Sequence, residues 1–168
     1  MWITLILLLA LAMIVGPVVM LRPPPGTQRL ADLRRRAAEL GLSVQLGHVP
    51  GEKTGEAVAI YLRPWPSLKN RNNNPSWLLV KRNFAHEIHC ADHWDWQGDG
   101  RPAEHVIEQT KTLLADLPDS VVAIEANAAG VSCYWQELGG QKTLQQIANW
   151  LDDLVTAAVL PALPSKSL

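Results

Sequence analysis

Residues 2–21 read WITLILLLALAMIVGPVVML, twenty positions without a charged side chain and with Thr4 as the only hydroxyl. A helix needs about twenty mostly apolar residues to cross the hydrocarbon core of a bilayer. The run is apolar on every side, whereas a helix at the surface of a water-soluble domain keeps one polar face. A cleaved secretory signal would have a basic start, a shorter apolar core and a small-x-small site. No Lys or Arg precedes this run, and Ala10-Leu11-Ala12 would leave a long greasy stretch behind the cut. The reading that fits is an uncleaved transmembrane anchor over residues 1–21, with the lipid bilayer as its partner. Gly16-Pro17 predicts a kink, since proline removes one backbone bond that a membrane helix tolerates when neighbours compensate.

Charge sets the expected orientation. Arg22, Arg29, Arg34, Arg35 and Arg36 follow the run, and no basic side chain precedes it. Basic residues flanking a span are retained in the cytoplasm, which predicts the N-terminus outside and the following domain inside. The same arginines would attract anionic lipid, each by about 1 kcal/mol near the surface. The plainer reading makes them a topology signal on a solvated helix face.

About 145 residues follow the anchor, enough for one domain with its own core. Residues 1–36 hold five arginines against one aspartate, while the remainder holds ten basic against fifteen acidic residues. An acidic domain is a poor nucleic-acid binder, because that affinity comes chiefly from neutralising phosphates. The two cysteines, Cys90 and Cys133, form no disulfide framework. In the cytoplasm they stay reduced; outside it they would be candidates for a single bridge.

Along the chain, residues 22–26 (Arg-Pro-Pro-Pro-Gly) read as a stiff extended spacer. Residues 27–160 read as the soluble domain. Thr27 is placed to cap a helix to about Leu40, with Gly41 as its stop. Ser43–Val49, Ala57–Leu62 and Trp77–Lys81 have strand character, and a proline- and asparagine-rich loop separates the last two. Pro102 opens a helix to about Asp116. Ser120–Asn127 and Val131–Glu137 form a hairpin, and Thr143 with Gln146 makes a capping box for a helix to about Leu160. Residues 161–168 read as a frayed tail. Strands grouped by tight turns, with helices between the groups, predict an α+β domain: one antiparallel sheet with helices on one face.

Leu117 to Glu137 reads LPDSVVAIEANAAGVSCYWQE. With the helix after it, this stretch resembles one in uncharacterised single-pass membrane proteins of Gram-negative bacteria. The resemblance implies a bacterial inner-membrane location. It implies no activity, and no functional residue is carried over from it.

Chemistry concentrates in residues 85–100, AHEIHCADHWDWQGDG. If residues 85–94 were helical, His86, His89, Cys90 and His93 would gather on one side, a donor set that suits zinc. In a strand the same residues split between two faces and the cluster dissolves. The His-Glu-x-x-His motif fails, because Cys90 stands where its second histidine belongs. The calcium-loop pattern starting at Asp95 fails at its twelfth position, which is Val106. Among seven tryptophans, Trp65, Trp94 and Trp96 sit in expected loops and form a candidate contact surface for a partner protein.

The sequence therefore predicts a single-pass inner-membrane protein with a cytoplasmic, non-enzymatic interaction domain and a protein partner of unknown identity. Two alternatives stand beside it: a metal-binding or metal-dependent protein using residues 86–93, and a periplasm-facing envelope factor.

Overall fold

The computed structural model describes residues 2–20, 24–51, 57–67, 69, 75–82, 89–91 and 93–159, excepting the side chains of residues 14–20, Pro25 and His89. The chain divides into two compact units, Met1–Asp32 and Leu33–Leu168. In order, the elements are α1 (Trp2–Met20), α2 (Pro25–Glu39), β1 (Ser43–Gly47), β2 (Val58–Pro64), β3 (Trp77–Lys81), β4 (His89–Ala91) and β5 (Trp94–Gln97). They continue with α3 (Glu104–Leu114), β6 (Val121–Ala126), β7 (Gly130–Trp135) and α4 (Gly140–Val159).

The strands form one antiparallel sheet in the order β1-β2-β7-β6-β3-β5-β4. Register then decides which side chains share a face. Ala59 pairs with Trp135 and Tyr61 with Cys133 across β2–β7, while Ile124 pairs with Cys133 and Leu79 with Ile124 further in. Successive residues of a strand alternate between faces, so this set forms one surface. It belongs to a single core with Leu33 and Ala37 of α2, Val106 and Leu114 of α3, and Leu144, Ile147, Leu151 and Leu154 of α4. The opposite face carries a smaller cluster of Val80, Ala123 and Tyr134 with Val49, to which, among the described residues, no helix contributes. The α+β sheet with its helices on one face follows from that division.

Trp135, the last residue of β7, lies on the covered face and is fully buried. Its ring lies 5.3 Å from that of Tyr61 at 60°, and its Nε1 donates to Ser120 Oγ at 2.9 Å. The small Ala59 opposite leaves room for the indole, and the hydrogen bond removes the cost of burying its N–H.

Several boundaries differ from the sequence expectation. Pro25 and Gly26 belong to α2 and not to an extended spacer. The Pro24 carbonyl accepts from the Thr27 and Gln28 amides, so Pro25, not Thr27, opens the helix. Proline suits that first position, where its missing N–H would have no helical partner. At the other end the Gly41 amide bonds Ala38 O and the Leu42 amide bonds Ala37 O, with Gly41 at φ +76°. This is the left-handed stop expected of Gly41. α4 starts at Gly140, which puts Thr143 inside its first turn rather than at its cap. α3 starts at Glu104, two residues beyond Pro102.

α1 is helical from Trp2 to Met20. Its described side chains include Trp2, Leu9 and Met13, which are 82%, 71% and 80% exposed. Among the described residues, no helix is long and apolar enough to cross a membrane. Side chains in α1 are described only as far as Met13.

Gly130 opens β7 directly over the β2 backbone, where an added Cβ would lie 2.0 Å from the Arg63 carbonyl oxygen. Backbone on both sides prevents the strand from giving way. Gly130→Ala is expected to destabilise the domain by about 3 kcal/mol, at the upper end for overpacking. The shift in denaturant midpoint, followed by tryptophan fluorescence, measures it.

Candidate functional site

Among the described residues, the expected metal donors are not gathered by a helix. Residues 89–91 form β4, so the helical spacing that would bring them together is absent there. His86 lies outside the described residues, as does the side chain of His89. Cys90 is partly buried, and burial pushes its thiol up from the ordinary value, against the thiolate a metal requires. His93 is exposed, at a turn between β4 and β5. Among the described residues, no group of three His, Cys, Asp or Glu side chains is placed to hold a metal ion.

The expected aromatic contact surface does not form either. Trp65, Trp94 and Trp96 are only 9%, 5% and 8% exposed. Trp65 donates through Nε1 to Asn127 O at 2.8 Å, pinning the end of β2 against the β6–β7 turn. Trp96 meets Trp77 edge-on at 5.7 Å, and the Arg101 guanidinium lies 5.1 Å from its ring centre. These rings are core and strap, with little area left for a partner. The segment Asn72-Asn73-Asn74 lies outside the described residues.

Of the five arginines behind the anchor, Arg22 lies outside the described residues and Arg29 is exposed. Arg36 pairs with Glu39 at 2.7 Å on the exposed side of α2, and Arg35 is also engaged. Arg34 has a role that its neighbours in sequence do not reveal. Its Nε donates to Glu137 Oε1 at 2.8 Å and its Nη2 to Oε2 at 2.7 Å, a two-pronged pair. Tyr61 Oη, from the buried face of β2, donates to the same Oε1 at 2.9 Å. The Glu137 side chain is 9% exposed, that of Arg34 33%. Glu137 has φ +59°, and among the described residues no other non-glycine takes a positive φ. That conformation costs roughly 1–2 kcal/mol for an ordinary L residue. A tight charge-assisted set of hydrogen bonds is what holds it.

A second arginine does similar work. Arg63 lies on β2; it donates to the Leu40 carbonyl at the end of α2 and pairs with Asp152 of α4 at 2.7 Å. Together Arg34 and Arg63 fasten the last turns of α2 to the sheet and to α4. On the helix-free face, Tyr134 Oη donates to Glu125 at 2.6 Å. Beside it lies a groove of about 470 Å³ lined by Val49, Val58, Val122, Leu138 and Lys81. Lys81 Nζ is paired with Asp119 at 2.8 Å, and this pairing holds the Asp119 carboxyl below its ordinary value. Cys133 is fully buried, and desolvation pushes its thiol far up. Glu137, Glu125, Asp119, Arg34, Arg63 and Lys81 are thus engaged with partners, and both thiols are kept protonated.

The two cysteines cannot bridge in this fold. β4 and β7 stand four strand spacings apart, about 19 Å, whereas a disulfide needs Cα atoms within about 7 Å.

No protein-family model matches the chain, and no curated protein and no solved structure matches it.

Glu137 offers two tests. Glu137→Ala leaves the Tyr61 hydroxyl and the Arg34 guanidinium without their acceptor, at an expected cost of about 2 kcal/mol, discounted for the exposure of Arg34. Glu137→Gly loses the same contacts but relieves the backbone, and should be milder by about 1 kcal/mol. Denaturant midpoints of the two variants separate the ion pair from the strain.

The pH dependence is also determined. Burial, then the hydrogen bond to Glu137 and its charge, raises the Tyr61 phenol above its ordinary value. Burial and Glu125 do the same to Tyr134. A raised folded-state value means stability that is complete below about pH 10, the unfolded value, and is lost as pH rises toward the folded one. Tyr61→Phe is expected to weaken the fold at pH 7 by about 2 kcal/mol, the scale of a hydrogen bond to a charged group. It should also flatten the fall in stability above about pH 10. Midpoints measured from pH 7 to 11 check both.

Proposed function

We propose that this chain is a single-pass protein of the bacterial inner membrane, anchored by residues 2–21. Its domain lies on the cytoplasmic side and acts by binding a protein partner rather than by catalysis. The observation that carries the reading is α1: a 19-residue helix without a charged side chain, whose described leucines, isoleucines and tryptophan are exposed. Each such side chain left in water forgoes about 1.5–3 kcal/mol relative to an apolar surrounding. A bilayer supplies that surrounding. The backbone continues as helix to Met20, and the sequence stays apolar to Leu21.

Orientation rests on the arginines after the helix. A binding role is supported by the way the domain uses its polar groups. Glu137, Arg34, Arg63 and Lys81 hold elements together, and both thiols are kept protonated.

The full chain, expressed in a Gram-negative host, is expected to stay in the membrane pellet after alkaline carbonate washing. A C-terminal fluorescent-protein fusion should be bright and a C-terminal alkaline phosphatase fusion inactive. Release into the wash would refute the anchor, and an active phosphatase would place the domain on the other side.

A further inference from the structure

The two edges of the sheet are built differently. β4 has three residues, and its register against β5 shifts between His89 and Ala91. Short, irregular edges resist pairing with another chain. β1 has five residues, SVQLG, in unbroken register with β2 from Ser43↔Leu62 to Gly47↔Val58. It contains no charge and no proline, the usual means of blunting an edge. Among the described residues, no strand pairs with its outer side. It also carries Leu46, 62% exposed, which with Leu138 at 61% is one of two large apolar side chains that the described residues of the domain leave in solvent.

We propose that β1 pairs antiparallel with β1 of a second copy of this chain, about a two-fold axis at Gln45. That axis is the one that brings all five residues into the ladder. Gln45 then faces Gln45, Ser43 faces Gly47, and Leu46 faces Val44 of the second copy. Directly opposed residues share a face of the sheet. The exposed Leu46 therefore gains an apolar neighbour, twice in each dimer, and no like charges are opposed. A five-residue ladder falls well short of the roughly 1,200 Å² that a stable interface buries. The pairing is accordingly weak between free molecules and favoured where copies share a membrane, since tethering raises their effective concentration. Only this last point rests on the proposed anchor.

Site-directed disulfides in the full chain test it, in isolated membranes under mild oxidation, with Cys90→Ser as background. Two copies of position 45 lie across one strand spacing, whereas two copies of position 43 are about 14 Å apart along the ladder. Ser43→Cys and Gln45→Cys both alter exposed residues. Gln45→Cys is expected to give a covalent dimer on a non-reducing gel, and Ser43→Cys at least tenfold less. Adding Leu46→Lys to Gln45→Cys should cut the yield about tenfold. Equal yields at positions 43 and 45, no dimer at 45, or a yield unchanged by Leu46→Lys would each overturn the self-pairing. So would linkage of Gln45→Cys to a different protein. If the chain washes off the membrane, the anchor has failed independently; the preference for 45 over 43 is then still required in concentrated solution.

Discussion

The domain depends on one constraint: β7 is paired along both sides, so it can choose only which face each residue takes. With β2 on one side and β6 on the other, Val131, Cys133 and Trp135 must share a face. Every residue of β7 is buried. The covered face then needs a small partner opposite the indole of Trp135, which Ala59 provides, and a wall beyond it, which α4 provides with Leu144, Ile147 and Leu151. The end of the strand in turn fixes the turn after it. Two residues past Trp135 the chain bends with Glu137 at φ +59°, and its carboxylate meets both Tyr61 and Arg34. The position of α2 over the sheet from Leu33 onward is therefore tied to the end of β7 by an ion pair as well as by apolar contact. The arrangement is local to one end of the sheet but joins residues 103 positions apart.

The other face keeps its apolar residues with less cover. Val80, Ala123 and Tyr134 are nearly inaccessible, although among the described residues no helix joins their cluster. Tyr134 is a useful residue for such a place: its ring covers neighbours while its hydroxyl reaches Glu125. The sheet thus has one face that is a full core and one that is a thin layer. Mixed polar and apolar residues on β6 and β7 reflect this, since Glu125 and Ser132 oppose each other on the thinly covered side.

Much of this was legible in the sequence. The β6–β7 hairpin, β3 and the buried stripe of α4 follow from side-chain periodicity and from Gly130, and they appear close to the expected positions. The misreadings have identifiable causes. Three prolines before Gly26 suggested an extended spacer, but proline's fixed φ serves the first turn of a helix equally well. Thr143 and Gln146 have capping-box spacing, yet two glycines upstream let the helix begin earlier. In β5 the residues Trp94-Asp95-Trp96-Gln97 alternate apolar and polar, but the run is only four residues long and sits among His, Asp and Gly, which favours a loop reading. Trp65 between two prolines looked like a loop residue seeking a partner, whereas its partner is the Asn127 carbonyl of its own chain. The Glu137 site was invisible for a different reason. A pair separated by a hundred residues leaves no local pattern, and only the unusual placement of Glu137 just before Gly139-Gly140 hinted at a forced turn.

On the proposed topology, Arg34 would serve two purposes without conflict. Retention of basic residues in the cytoplasm acts while a chain is being inserted, before the domain behind the span has formed. At that stage Arg34 is a free cation and counts with Arg22, Arg29, Arg35 and Arg36. Once the fold closes, its guanidinium is held by Glu137, and its attraction to a lipid surface falls accordingly. On the proposed topology all five arginines count during insertion, whereas Arg34, paired with Glu137, adds little to surface attraction in the folded protein. The cysteines bear on the same question. With Cys90 and Cys133 on strands too far apart to bridge, the fold gains nothing from an oxidising compartment and leaves a half-buried thiol that such a compartment would expose to oxidation. The proposed cytoplasmic placement would keep both thiols reduced.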